Sequence, residues 1–121
     1  VQGTQGAELA ALLRTDPLCA ILRKGMAQEV DSYSAFADNN GHNPTGLAGL
    51  LHGRGITRVV VCGLAYDVCV AATALAAKTL GFESLVLPHA CASANTPAQD
   101  VANRLRAGGV SVLTAQEWGR L

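Results

Sequence analysis

Apolar residues fall along the chain in two textures, short unbroken runs and stripes at helical spacing. Ile56 to Leu64 holds the run Val59-Val60-Val61-Cys62 without alternation, which predicts a strand apolar on both faces inside a parallel sheet. Ser84-Leu85-Val86-Leu87 predicts another buried strand ended by Pro88, and Val110-Ser111-Val112-Leu113 a last one. Cys19-Ala20-Ile21-Leu22-Arg23 reads as a first strand, delivering Lys24 at its C-terminal end. Between these runs lie helical stripes. In Gly46–Arg54, Leu47, Leu50 and Leu51 recur at i, i+3, i+4, with Thr45 as cap and Gly55 as stop. Val68–Leu80 is alanine-rich, apolar around most of its circumference and closed by Gly81. Ala98–Ala107 is more polar and is entered through Asn95-Thr96-Pro97.

At the front, Ala7, Leu9, Ala10, Leu12 and Leu13 predict an irregular turn or helix that Pro17 stops. Met26 to Pro44 is polar and turn-rich, and Thr114 with Glu117 makes a capping box for a terminal turn. The alternation predicts an α/β fold with a mostly parallel sheet covered on both faces, a three-layer αβα arrangement with right-handed crossovers.

Composition narrows the picture. The 121 residues are half hydrophobic, enough for a core and for one domain over residues 1–121. Nine basic against nine acidic side chains leave no basic face for nucleic acid or a membrane surface. No run reaches the roughly 18–20 apolar residues of a spanning helix and no signal peptide opens the chain, so a cytoplasmic protein is expected. Cys19, Cys62, Cys69 and Cys91 form no CxxC pair and read as free thiols in a reducing compartment. The opening Val1-Gln2-Gly3, without Met, is expected from processing or from a longer polypeptide.

In open α/β sheets ligands bind beyond the carboxyl ends of the strands. Two such ends carry reactive groups here, Lys24 and the segment Gly63-Leu64-Ala65-Tyr66-Asp67-Val68-Cys69. Cys69 falls in the first turn of a buried helix with Asp67 as expected N-cap, where unsatisfied N–H groups favour an anion and a nucleophilic sulfur. The same donors suit the oxyanion of a tetrahedral intermediate. Against this stands the reading of Cys69 as a small buried apolar residue. Lys24 is either a strand-end charge or a cation beside that sulfur, while Arg23 points to the opposite face and is solvated. Cys62 reads as core filling and Cys91 as inert or crevice-lining. His42, His52 and His89 lack metal-ligand spacing and read as surface residues. Tyr33 and Phe36 either stack on a planar ring or pack on their own loop.

The segment Gly63–Val70, following an apolar strand and opening a helix, resembles the nucleophile segment of the isochorismatase-like cysteine hydrolases. Within that superfamily, Val30-Asp31-Ser32-Tyr33-Ser34-Ala35-Phe36 after Lys24-Gly25, and Val1–Leu9, are similar to the bacterial nicotinamidases, or pyrazinamidases. The likeness runs over essentially the whole chain. It implies hydrolysis of nicotinamide, a linear amide, and of pyrazinamide through a cysteinyl thioester in NAD salvage. Cys69 matches the nucleophile and Lys24 the lysine of an Asp-Lys-Cys triad. Leu64–Ala65 matches a cis peptide, Ala65 and Cys69 the oxyanion-hole amides, and Tyr33, Leu64 and Val68 the walls of the substrate site. Asp67 matches a loop-ordering position.

The resemblance also implies a divalent metal, zinc or iron, and a triad aspartate, with ligands of the Asp-x-His type. No residue of this sequence matches those motifs, so the domain is expected to be incomplete at its N-terminus and the 121 residues alone to be inactive. Unpaired sheet edges then favour a homo-oligomer or a complementing N-terminal segment. Two alternatives remain: another isochorismatase-like hydrolase, and a non-catalytic binding module.

Overall fold

Parallel strands β1 (Arg58–Leu64), β2 (Glu83–Ala92) and β3 (Ser111–Val112) form a sheet in that spatial order. The computed structural model describes residues 2–120; Val1, the first residue of one family-like segment, lies outside the described residues. Helix α1 (Leu47–Gly53) precedes the sheet, α2 (Ala71–Thr79) joins β1 to β2, α3 (Ala98–Ala107) joins β2 to β3, and α4 (Ala115–Trp118) follows β3. This is the α/β class the alternation predicts.

The helices pack on the sheet through the spacing read above. Tyr66, Val70, Ala71, Ala74, Val86, Val101, Leu105 and Val110 form one core cluster, with Val61 against it. Phe36, Ala77 and Phe82 form a second with Leu47, Leu51 and Val59. Val59 and Val61 share one face of β1, so α1, α2 and α3 cover that face among the described residues. The opposite face presents Val60 and Leu64 to solvent. Alanine at 71, 74 and 77 lets α2 approach closely, and the buried Ser84 hydroxyl donates to the Ala74 carbonyl at 2.8 Å, tying β2 to that helix.

Several expectations are corrected. Cys19–Arg23 forms no strand. Among the described residues it has no ladder partner, and Leu18 and Ile21 stay exposed; an apolar run without a neighbouring strand gains no hydrogen bonds from extension. Pro88 does not end β2. It lies where the β1–β2 register jumps from Val61↔Val86 to Gly63↔Cys91, an irregularity that tolerates a residue without an N–H. Cys62 is exposed rather than core, since it lies on the uncovered face of β1. Thr45 acts one residue earlier than expected, because Gly46 occupies the N-cap at φ 86°, a left-handed conformation that suits glycine. The Leu47 N–H still donates to the Thr45 hydroxyl at 3.2 Å. At the front, a 3₁₀ turn at Gln5–Ala7 replaces any longer helix. The Thr114–Glu117 capping box forms as read.

Candidate active site

The chain leaves β1 through a cis Leu64–Ala65 peptide and enters a wide π-type turn, Tyr66–Val70, before α2 begins. The Val68 and Val70 N–H groups both donate to the Ala65 carbonyl, at 3.1 and 3.0 Å. Cys69 stands in this turn, half-buried, at the carboxyl end of the strand. Tyr66 and Val70, the first and last residues of the turn, sink into the core and anchor its two ends while Cys69 stays partly accessible.

Lys24 reaches the same place from the extended segment. Its Nζ donates to the Ser32 carbonyl at 2.5 Å and lies 3.6 Å from Cys69 Sγ. Gly25, at φ 68°, turns the chain immediately afterwards, which a side-chain-bearing residue does only with strain. Lys24 and Cys69 thus meet, although the strand expected to carry Lys24 does not form. An ammonium beside a sulfur favours negative charge on it and on an oxygen formed next to it.

Tyr33 comes from the loop after Lys24. Its N–H donates to Asn39 Oδ1 at 3.1 Å, and the loop is held by Thr73 of α2, whose hydroxyl accepts from the Ala35 N–H at 2.9 Å. The Thr45 hydroxyl donates to the Ala35 carbonyl at 2.6 Å from the other side. Tyr33 keeps an exposed ring and, with Val68, borders a cavity of about 410 Å³ that also touches Leu75 and Arg104. Lys24 and Ser32 border a second cavity of about 310 Å³. Phe36 is not available for stacking on a ligand, since it is buried against Phe82 with ring centroids 5.9 Å apart. Leu64 is 75% exposed on the uncovered face.

Asp67 does not cap its own helix. Its buried carboxylate accepts the N–H groups of Ala94, Asn95 and Thr96, each at 2.9 Å. These three donors hold the carboxyl far below the usual range for aspartate. Arg104 of α3 donates to the Asp67 carbonyl at 2.6 Å. Sequence reasoning missed Thr73 and Arg104, whose partners lie 38 and 37 residues away and leave no local signal. Cys91 is half-buried in β2, its Sγ 3.2 Å from the Leu87 carbonyl, and burial pushes its thiol up. His52 stacks on Phe82. Among the described residues no three His, Cys, Asp or Glu side chains converge, so these residues do not assemble a metal-ligand set.

Residues 1–117 match the isochorismatase domain family. The nicotinamidase of Acinetobacter baylyi is 48% identical over 91 residues, covering 75% of this chain and 42% of that protein. The nicotinamidase of Escherichia coli is 37% identical over 121 residues, covering 98% and 57%. Among solved structures, PnC1 from L. infantum in complex with nicotinate superposes with a TM-score of 0.89 at 44% identity, covering 96% of this chain and 59% of that one. A pyrazinamidase of Pyrococcus horikoshii in complex with zinc superposes at 0.76 with 32% identity, covering 93% and 59%. The chain therefore spans about half the length of the relatives it matches.

Proposed function

We propose, on the premise that the chain belongs to the isochorismatase domain family, that the protein is a nicotinamidase hydrolysing nicotinamide, and pyrazinamide, to the acid and ammonia. The observation that carries this reading is the 3.6 Å approach of Lys24 Nζ to Cys69 Sγ at the carboxyl end of β1. Cys69 Sγ attacks the carboxamide carbon, forming a C–S bond and placing negative charge on the former carbonyl oxygen. The Ala65 and Cys69 amides receive that oxygen and Lys24 offsets the charge beside it. Collapse breaks the C–N bond, ammonia leaves with the proton taken from the thiol, and a thioester remains. Water then cleaves the thioester to release the carboxylic acid and the free thiol. Tyr33, Leu64 and Val68 flank the ring in this reading.

The proton transfers need a base that Lys24 and Cys69 do not supply. That group, and ligands for a divalent ion such as the zinc of the Pyrococcus horikoshii complex, are expected from a complementing segment or chain. The ion is assigned no step, because the described side chains assemble no ligand set for it. A further strand from such a segment, or from a second copy, would pair with the edge of β1, which has no partner strand on that side among the described residues. No helix among the described residues is long and apolar enough to cross a membrane, and a cytoplasmic location is part of the proposal.

Ammonia release from nicotinamide by the full protein tests the reading, together with mass spectrometry of the acid-quenched enzyme. A nicotinoyl adduct on Cys69, and loss of turnover in Cys69→Ala with an unchanged melting curve, are expected. Turnover retained in Cys69→Ala refutes it. Residues 1–121 assayed alone are expected to release little or no ammonia, and a substrate panel separates nicotinamidase from other amide or vinyl-ether hydrolysis.

A further inference from the structure

We infer that Arg104 is a positioning residue for the nucleophile turn, holding through the Asp67 carbonyl the peptide that leads into Cys69. This rests on the reading of Cys69 as the nucleophile. Asp67 lies two residues before Cys69 and is gripped at both ends. Its carboxylate takes three amides from the 94–96 segment, and its carbonyl takes the Arg104 guanidinium at 2.6 Å. The first grip orients the side chain, and the Val68 N–H bond to the Ala65 carbonyl at 3.1 Å holds the amide side of the following peptide plane. Arg104 holds the carbonyl side of that plane, and with it the direction in which the chain runs on to Cys69.

Arg104 is well placed for this task. Its neighbours Val101 and Leu105 are almost wholly buried in the core, so the helix from which it reaches is packed firmly against the sheet. It has no ion-pair partner among the described residues, so the Asp67 carbonyl is the contact that orders it. A charged donor on a carbonyl makes a stronger bond than a neutral one. Its cation also lies on the residue that carries the negative charge nearest in sequence to Cys69. The side chain borders the same cavity as Tyr33 and Val68, so a misplaced turn would distort the wall of that cavity as well as the sulfur. Arg106, two residues on, makes no such contact and serves as a control on the same helix.

The test is the rate of Cys69 carbamidomethylation by iodoacetamide at neutral pH, followed by peptide mass spectrometry, beside kcat and KM for nicotinamide in the full protein. Arg104→Leu is expected to slow alkylation about three- to tenfold and to lower kcat by a similar factor with KM within about twofold, since small misplacements at a reacting group are costly in rate. Arg104→Lys, which keeps a charged donor, is expected to restore most of both, and Arg106→Leu to change neither. The melting temperature of Arg104→Leu is expected to fall by several degrees with the lost bond, and Arg104→Lys to recover most of that fall. Unchanged alkylation in Arg104→Leu overturns the inference. So does a loss that follows a fall in melting temperature and is not rescued by lysine. Should wild type release no ammonia while Arg104→Leu still slows alkylation, the proposed function fails and the positioning role stands.

Discussion

Replacing Tyr66 by phenylalanine should make the protein more stable. The ring is 1% exposed and packs with Val70, Val86 and Leu105, so the substitution keeps its apolar contacts. Among the described residues the buried hydroxyl has no hydrogen-bond partner. An unsatisfied buried hydroxyl costs about 1–3 kcal/mol of desolvation, which phenylalanine removes. For a chain of 121 residues the entropy of unfolding is about 0.25 kcal/mol per kelvin, so each kcal/mol gained raises the melting temperature by about 4 °C.

Alkaline pH sharpens the contrast. Burial, and secondarily the Cys91 thiol, push the Tyr66 phenol above its ordinary value, against a smaller opposing effect of Arg106. An acid whose native value is raised favours folding below the unfolded value, about 10 for tyrosine, and that contribution is lost as pH rises through the native value. Wild type should therefore lose stability above about pH 10 in a way Tyr66→Phe does not, and the gap between them should widen. Calorimetry or urea unfolding from pH 7 to 11 reads both effects. A phenylalanine variant less stable than wild type by 1 kcal/mol or more would show that the hydroxyl has a partner, and the reasoning would be wrong.

Three further outcomes follow from the geometry. Lys24→Met removes a cation 3.6 Å from Cys69 Sγ. At that range a solvated pair is worth about 1 kcal/mol, so iodoacetamide should label Cys69 about fivefold more slowly at pH 7. Asp67→Asn should lower the melting temperature at pH 7 and leave the 94–96 segment faster in amide exchange. Because the native carboxyl is held below the unfolded value near 4, its stabilisation is complete above that pH and lost as pH falls toward the native value. The deficit of Asp67→Asn should accordingly shrink in melting curves taken below pH 4. Leu105→Ala, at a fully buried position between α3 and the sheet, should cost about 2–5 kcal/mol in denaturant unfolding, with the m-value unchanged.

Features written in neighbouring residues were legible in the sequence. The span of α3, the Val59–Cys62 core of β1 and the Thr114–Glu117 box all depend on spacings within a few positions. The pairing of Lys24 with Cys69 was legible because both follow apolar runs, and the resemblance named the same two residues. It survives even though Cys19–Arg23 is no strand, since Lys24 is held by the Ser32 carbonyl rather than by a sheet. What escaped was what distance along the chain decides. Asp67 looks like a helix cap until Ala94, Asn95 and Thr96 arrive beside it. Pro88 looks like a stop until the register of β1 leaves a gap for it, and Cys62 looks buried until one face of β1 is left uncovered. Arg104 looks like any solvated arginine on a polar helix face.

Three consecutive amides meeting one carboxylate also make chain length between β2 and α3 a constrained quantity. A residue inserted between Ala92 and Pro97 would swing at least two of the donors off Asp67 at once, whereas one inserted in the exposed Asn39–His42 bend would disturb no contact of Cys69. Insertions and deletions among descendants of this sequence should accordingly accumulate in the second stretch and be purged from the first, although both are surface loops of similar size.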